Sequence, residues 1–207
     1  WPLLALSALF SLLTVLAHGR DGAGPLADDA SIVDRVLRVP VAYLFQVEKW
    51  VWPSGLSALY PDPASLPPAR VLLGLVLVAG LIALAWTQRH RVPAVTAGVA
   101  WFLLGLLPVT GIVTIGIAQL ADRFGYVPGM GLAIALVFGV AHLVGDDVTR
   151  RRAAVGVAAV VLVALAFTTR PVLAHWKNTE TLFRHAIETT GGNAYAYNYL
   201  GGWLAMQ

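Results

Sequence analysis

Between Phe124 and Gly145 the chain runs "FGYVPGMGLAIALVFGVAHLVG" without one Asp, Glu, Lys or Arg, and four other stretches share that property: Trp1 to Ala17, Val71 to Gln88, Val92 to Ala121 and Ala153 to Thr169. A bilayer-spanning helix needs roughly 20 apolar residues, with 17 to 25 tolerated. In lipid every backbone N–H and C=O must be paired within the segment, so runs of this kind fold as helices. The alternative is a buried core of a water-soluble helical protein. It fails on composition, because 58% of the 207 residues are hydrophobic and only 12% are charged, against about 25% charged in ordinary soluble domains. The expected fold class is therefore all-α: a polytopic membrane protein with about five transmembrane helices.

Short charged loops orient such a bundle, because Lys and Arg near span ends are retained on the cytoplasmic side. "QRHR" (Gln88 to Arg91) joins the second and third runs, and "GDDVTRRR" (Gly145 to Arg152) joins the fourth and fifth. With both inside, the segment from His18 to Arg70, the turn carrying Asp122 and Arg123, and everything after Arg170 lie outside. Asp146 and Asp147 read as a solvated inner loop rather than a metal pair, and no metal is expected. The absence of cysteine removes disulfides and zinc-thiolate sites. A net charge of +3 without a long basic run fits anionic lipid headgroups and no nucleic acid.

The outer segment carries its own signals. Ser31 and Asp34 have the spacing of a capped helix start, followed by Ile32, Val33, Val36 and Leu37 up to Pro40. A second apolar stretch, Val41 to Trp52, contains Glu48 and Lys49 and ends in Trp50 and Trp52. Tryptophan beside lysine favours the headgroup region, so two short helices on the outer membrane face are expected. The run Val92 to Ala121 is longer than one crossing. Pro108 and Gly111 are placed to kink or end it, leaving Ile112 to Ala121 as an apolar shelf before the turn at Asp122.

After Arg170 the pattern becomes that of an amphipathic helical hairpin. Thr179, Phe183 and Ala186 hold the small, aromatic and small positions of a tetratricopeptide repeat's second helix. Gly191, Gly192 and Asn193 make a turn, and Tyr197, Leu200, Gly201 and Leu204 match the opening of the next repeat. His175 and Trp176 are expected to pack the junction with the last span. Two domains follow: 1–170, a transmembrane domain, and 171–207, the start of a repeat domain. Because the chain begins at Trp1 without Met and stops within a repeat, it is expected to be a fragment of a longer protein.

"AYLFQVEKWVWPSGLSALYP" (Ala42 to Pro61), "WFLLGLLPVTGIVTIGIAQLADRFGYVPGMGL" (Trp101 to Leu132) and "HWKNTETLFRHAI" (His175 to Ile187), in that order, resemble the transmembrane-and-tetratricopeptide-repeat protein family, within the GT-C superfamily of polytopic glycosyltransferases. The resemblance implies transfer of a sugar, mannose in the eukaryotic members, from a polyprenyl-phosphate-linked donor to a protein acceptor. The reaction side is periplasmic or lumenal, across a bacterial inner membrane or the endoplasmic reticulum. The family's acidic catalytic motif lies in an N-terminal half that this chain does not match, so no residue here is assigned the catalytic role. No cofactor is expected.

What this portion is expected to supply is donor-lipid binding. Arginine suits phosphate through its planar, bidentate donors, and Arg123 is the leading donor-phosphate candidate. Asp122 orients its guanidinium or balances its charge, and Tyr126 bonds a phosphate oxygen or anchors the interface. Lys49 and Tyr60 are weaker candidates. The competing function is a non-catalytic membrane anchor that displays a repeat scaffold to protein partners.

Overall fold

In a computed structural model of the chain, residues 6, 9, 10, 13, 31–61, 66–111 and 120–207 are described. Their regular structure is helical, with one isolated bridge between Tyr60 and Leu120 and no strand among the described residues. The helices are α1 (Ile32–Val51), α2 (Pro68–Gln88), α3 (Pro93–Leu106), α4 (Tyr126–Val144), α5 (Val148–His175), α6 (Thr179–Thr190) and α7 (Ala194–Leu204). Three segments are long and apolar enough to cross a membrane: Pro68–Gln88, Asp122–Val144 and Val148–His175. This accounts for three of the five expected spans. The first, Trp1 to Ala17, lies outside the described residues apart from helical positions 6, 9, 10 and 13.

The run Val92 to Ala121 breaks at Pro108 and Gly111, the residues placed to end it. It forms α3 and a single 3-10 turn, Leu107–Val109, which together reach from Pro93 to Val109 and stand at the lower limit of a crossing. Pro108 lies in that turn, and Gly111 follows at φ +88°, a left-handed conformation that only glycine adopts without strain. Most of the expected shelf, residues 112–119, lies outside the described residues.

The outer segment corrects the expectation of two short helices. Ser31 caps α1 as its spacing predicts, with Asp34 N–H donating to Ser31 Oγ at 3.1 Å and Ser31 N–H to the Asp34 carboxylate at 3.3 Å. The helix then continues through Pro40 to Val51. An interior proline forfeits one backbone bond and crowds the preceding turn. Here its ring is buried and its carbonyl lies against Gly74 of α2, where any Cβ would collide with it. Intimate packing on α2 offsets the lost bond. Pro40 against Gly74 and the Glu48–Arg70 ion pair at 2.6 Å run in opposite chain directions, so α1 lies antiparallel along the first half of α2.

The core sits where α1 meets the α3–α4 pair. Tyr43 packs edge-on against Phe102 at 5.8 Å and donates its hydroxyl to the Leu103 carbonyl. Phe102, Leu106 and Val99 are almost completely enclosed. Helices α3 and α4 are antiparallel and in backbone contact: a Cβ on Gly98 would sit 2.5 Å from the Gly131 carbonyl oxygen and 2.8 Å from Ala135 N. Small residues at such a crossing let apolar helices approach when lipid offers no hydrophobic drive between them. The crossing also sorts the loops. Val95 meets Gly139 near one end and Gly105 meets Pro128 near the other, so the two arginine-bearing loops share the end away from Asp122.

Helix α5 outlasts its charge-free run at both ends, taking in Arg150 to Arg152 and Arg170, and spans about 42 Å at 1.5 Å per residue. Helices α6 and α7 form the expected hairpin, with Ala186, Ala196 and Leu200 buried and Phe183 stacked on Tyr199 at 5.0 Å. Three details of the repeat pattern differ. Tyr197 and Leu204 are 55% and 49% exposed, and Gly201 faces open space, because Ala196 and Leu200 supply the face of α7 that meets α6.

The glycine crossing yields a stability prediction. Gly98→Ala should destabilise the protein in detergent by about 1 to 3 kcal/mol, because the methyl meets backbone that cannot turn aside. Gly80→Ala, at a position with nothing within 4 Å, should be neutral or slightly stabilising. Thermal unfolding of the two variants beside the parent checks this; equal losses would refute the close crossing.

Candidate functional site

The turn that carries Asp122 and Arg123 is fixed before either charge is considered. Ala121, with no exposed surface, has an extended backbone and leads into the 3-10 turn Asp122–Gly125. Gln46 of α1, buried, donates its amide to the Ala121 carbonyl at 3.2 Å. Its carbonyl oxygen fills the space where a side chain on Gly125 would stand. One residue upstream, Leu120 accepts the Tyr60 N–H at 3.2 Å. Two segments distant in sequence from the turn, around Gln46 and Tyr60, thus hold it.

Across from it runs a strap, residues 52–61, connecting α1 towards α2. Asp122 and Arg123 grip this strap separately. The Asp122 carboxylate accepts the Ser57 N–H at 2.6 Å and lies 3.0 Å from the Tyr60 hydroxyl. That hydroxyl also lies 2.9 Å from the Gly55 carbonyl and accepts the Ser57 N–H at 3.0 Å, so its one proton is shared between two oxygens. Burial first, then the charge and hydrogen bond of Asp122, hold the Tyr60 phenol far above its ordinary range; it stays a donor. Arg123 Nη1 donates to the Ala58 carbonyl at 2.9 Å, and the guanidinium lies 5.1 Å from the Phe124 ring centre. Its side chain is otherwise exposed.

The sequence placed an ion pair at this turn, and among the described residues Asp122 and Arg123 form none. Adjacent residues in a 3-10 turn project in different directions, and each finds a partner on the strap. The weaker candidates turn out to belong beside Asp122. Lys49 donates to the Ser54 and Gly55 carbonyls at 2.6 and 3.1 Å and sits over the Phe45 and Tyr60 rings at 5.6 and 5.4 Å. Tyr126 is 70% exposed at the first residue of α4 and joins none of these bonds.

The far side of the strap is held by the C-terminal hairpin. His185 Nε2 is 3.1 Å from the Leu56 carbonyl. Asn193, with no exposed surface, donates its amide to the Leu59 carbonyl at 3.0 Å, while its own oxygen caps α7 by accepting the Ala196 N–H at 3.1 Å. His175, the last residue of α5, stacks on His185 at 3.7 Å, so it packs the junction as expected, whereas Trp176 is 52% exposed. Sequence reasoning missed Gln46, Ser57, His185 and Asn193. Gln46 carried a signal, a lone amide within an apolar stretch; Ser57 acts through its backbone and carried none.

Chemically, the site offers one exposed guanidinium above a satisfied, half-buried carboxylate. Among the described residues no group of three or more His, Asp or Glu side chains is placed to hold a metal ion. No family model, curated protein or solved structure matches this chain.

The separate grips on the strap predict that charge order matters. If Asp122 and Arg123 were only a surface ion pair, exchanging them would preserve the Coulomb attraction. Here the combined Asp122→Arg, Arg123→Asp exchange takes the charged acceptor from Ser57 N–H and the Tyr60 hydroxyl, leaving them only the Tyr60 oxygen and the Gly55 carbonyl, and sets a carboxylate against the Ala58 carbonyl. It should cost about 1 to 3 kcal/mol, the worth of hydrogen bonds to a charged group together with the new repulsion. Unchanged thermal unfolding of the exchanged protein would refute this.

Proposed function

We propose that the chain is the membrane part of a GT-C-like glycosyltransferase of the transmembrane-and-tetratricopeptide-repeat kind, in which Arg123 binds the phosphate of a polyprenyl-phosphate-linked sugar. The observation that carries the reading is an exposed guanidinium at the end of the membrane helices, bonded among the described residues to a single backbone carbonyl. Guanidinium has five N–H donors in a planar fork. With one given to Ala58, the rest suit a phosphate bidentately. The quoted motifs, whose family resemblance is the source of the sugar-transfer assignment, include this turn. Asp122 serves the site by holding the strap that holds Arg123. The acceptor protein engages the repeat side, and no residue of this chain is given the role of catalytic acid or base.

The reading includes a topology of five spans, with the arginine-bearing loops cytoplasmic and the hairpin periplasmic or lumenal. Its support is that "QRHR" and "TRRR" sit at one end of the α3–α4 pair and the strap at the other. The parent has no cysteine, so single cysteines replacing the exposed Thr87, Thr149 and Glu188 report sidedness directly. Only the Glu188 position should react with an impermeant maleimide in intact cells. Labelling at Thr149 would overturn the orientation.

Donor binding is tested with farnesyl phosphate titrated into the full chain in phosphatidylcholine nanodiscs. Farnesol, inorganic phosphate and phosphatidylglycerol serve as parallel arms. The parent should bind farnesyl phosphate well above all three. Arg123→Ala should weaken it about 10- to 100-fold, the worth of a charge-assisted hydrogen-bonded contact, and Arg123→Lys should fall between. Equal binding of phosphatidylglycerol would identify a general headgroup site. Undiminished binding by folded Arg123→Ala would leave the membrane anchor with a repeat scaffold as the function.

A further inference from the structure

Asn193 occupies an unusual place for a helix cap. Its side-chain oxygen closes the start of α7 by accepting the Ala196 N–H, a local task that Ser, Thr or Asp would perform as well. Its side-chain nitrogen does something a cap does not require: it donates 3.0 Å away to the Leu59 carbonyl, 134 residues earlier in the chain. The amide is entirely enclosed, so the bond is shielded from water. The adjacent peptide carbonyl, that of Ala58, is the acceptor that holds the Arg123 guanidinium. His185 meets the same strap two residues further back, at Leu56.

We infer that the C-terminal hairpin is a built-in part of the phosphate site, with Asn193 a positioning residue that fixes the Arg123 guanidinium through the Leu59 and Ala58 carbonyls. The inference rests on the reading of Arg123 as a phosphate ligand and adds to it a dependence on the hairpin. The strap has no regular structure of its own between residues 52 and 61, and the contacts that order it come from two sides. Asp122 and Tyr60 hold the side towards the membrane turn. Asn193 and His185 hold the other. Released on the hairpin side, the strap lets the Ala58 carbonyl move, and an exposed arginine then pays its own side-chain ordering on binding phosphate.

Asn193→Asp separates the cap from the contacts of the amide N–H groups, which reach Thr190 Oγ1 at 3.2 Å as well as the Leu59 carbonyl. The aspartate keeps an acceptor for the Ala196 N–H, so α7 stays capped, but it has no N–H for the Leu59 carbonyl and repels it. With farnesyl phosphate as the probe, in the full chain and in phosphatidylcholine nanodiscs, Asn193→Asp should weaken binding about three- to tenfold while helix content is retained. The decisive comparison is a double-mutant cycle. In the Arg123→Ala background the same substitution should have no further effect, because the residue it positions is gone. His185→Leu, which releases the strap at Leu56 from a different helix, should show the same dependence on Arg123. An equal fold-loss with and without Arg123, or no loss in Asn193→Asp, would overturn the inference. If Arg123→Ala alone left binding unchanged, the phosphate reading itself would fall, an outcome distinguishable from the first because it does not involve Asn193.

Discussion

The close contact of α3 with α4 is the constraint on which the remaining geometry depends. Lipid is as apolar as leucine, so two greasy helices gain little by meeting unless their backbones come near enough for dense packing. Gly98 and Gly131 permit that approach, each occupying space that a side chain on the other would need. The crossing then decides two things at once. It brings Phe102, Val99 and Leu106 into the enclosed core, and it sets the height of the turn at Asp122, since α4 begins immediately after it.

From that turn the polar structure is built outward by backbone groups more than by side-chain pairs. Asp122, Arg123, Lys49, His185 and Asn193 all direct side chains at peptide N–H or C=O groups of one short strap. An irregular segment beside a membrane leaves peptide groups that neither helix nor sheet satisfies. Charged, amide and imidazole side chains from four surrounding elements satisfy them here. That also explains why neighbours in sequence with opposite charge are not partners: a surface ion pair is worth at most about 1 kcal/mol, whereas an unpaired, partly buried peptide group costs about 1 to 3 kcal/mol.

The features written in local pattern were legible in the sequence. The apolar runs, the Ser31 cap, the break at Pro108 and Gly111, and the hairpin around Gly191 and Gly192 each follow from residues within one or two turns of one another. What was not legible depends on residues distant in the chain. Pro40 reads as a helix end until Gly74 is known to receive it. Tyr197, Leu200 and Leu204 all match the repeat by spacing, but only Leu200 of the three joins Ala196 on the inner face. At the site, Arg123, Asp122, Tyr60 and Lys49 could be singled out as charged or amphipathic residues at a membrane edge. Their assembly by Ser57, Leu59 and Asn193 could not, because the interacting groups are peptide atoms, and every residue has those.

Under the proposed phosphate reading, the same accounting favours Arg123 over Lys49. An ammonium has three N–H donors, and two of those on Lys49 go to the Ser54 and Gly55 carbonyls while two aromatic rings cover the group. Its charge is spent within the strap. Arg123 gives one donor of five and keeps its edge in solvent. A site for a charged headgroup needs a cation that is held but not satisfied. The strap meets that condition because a single carbonyl orients a planar fork that it is too small to fill.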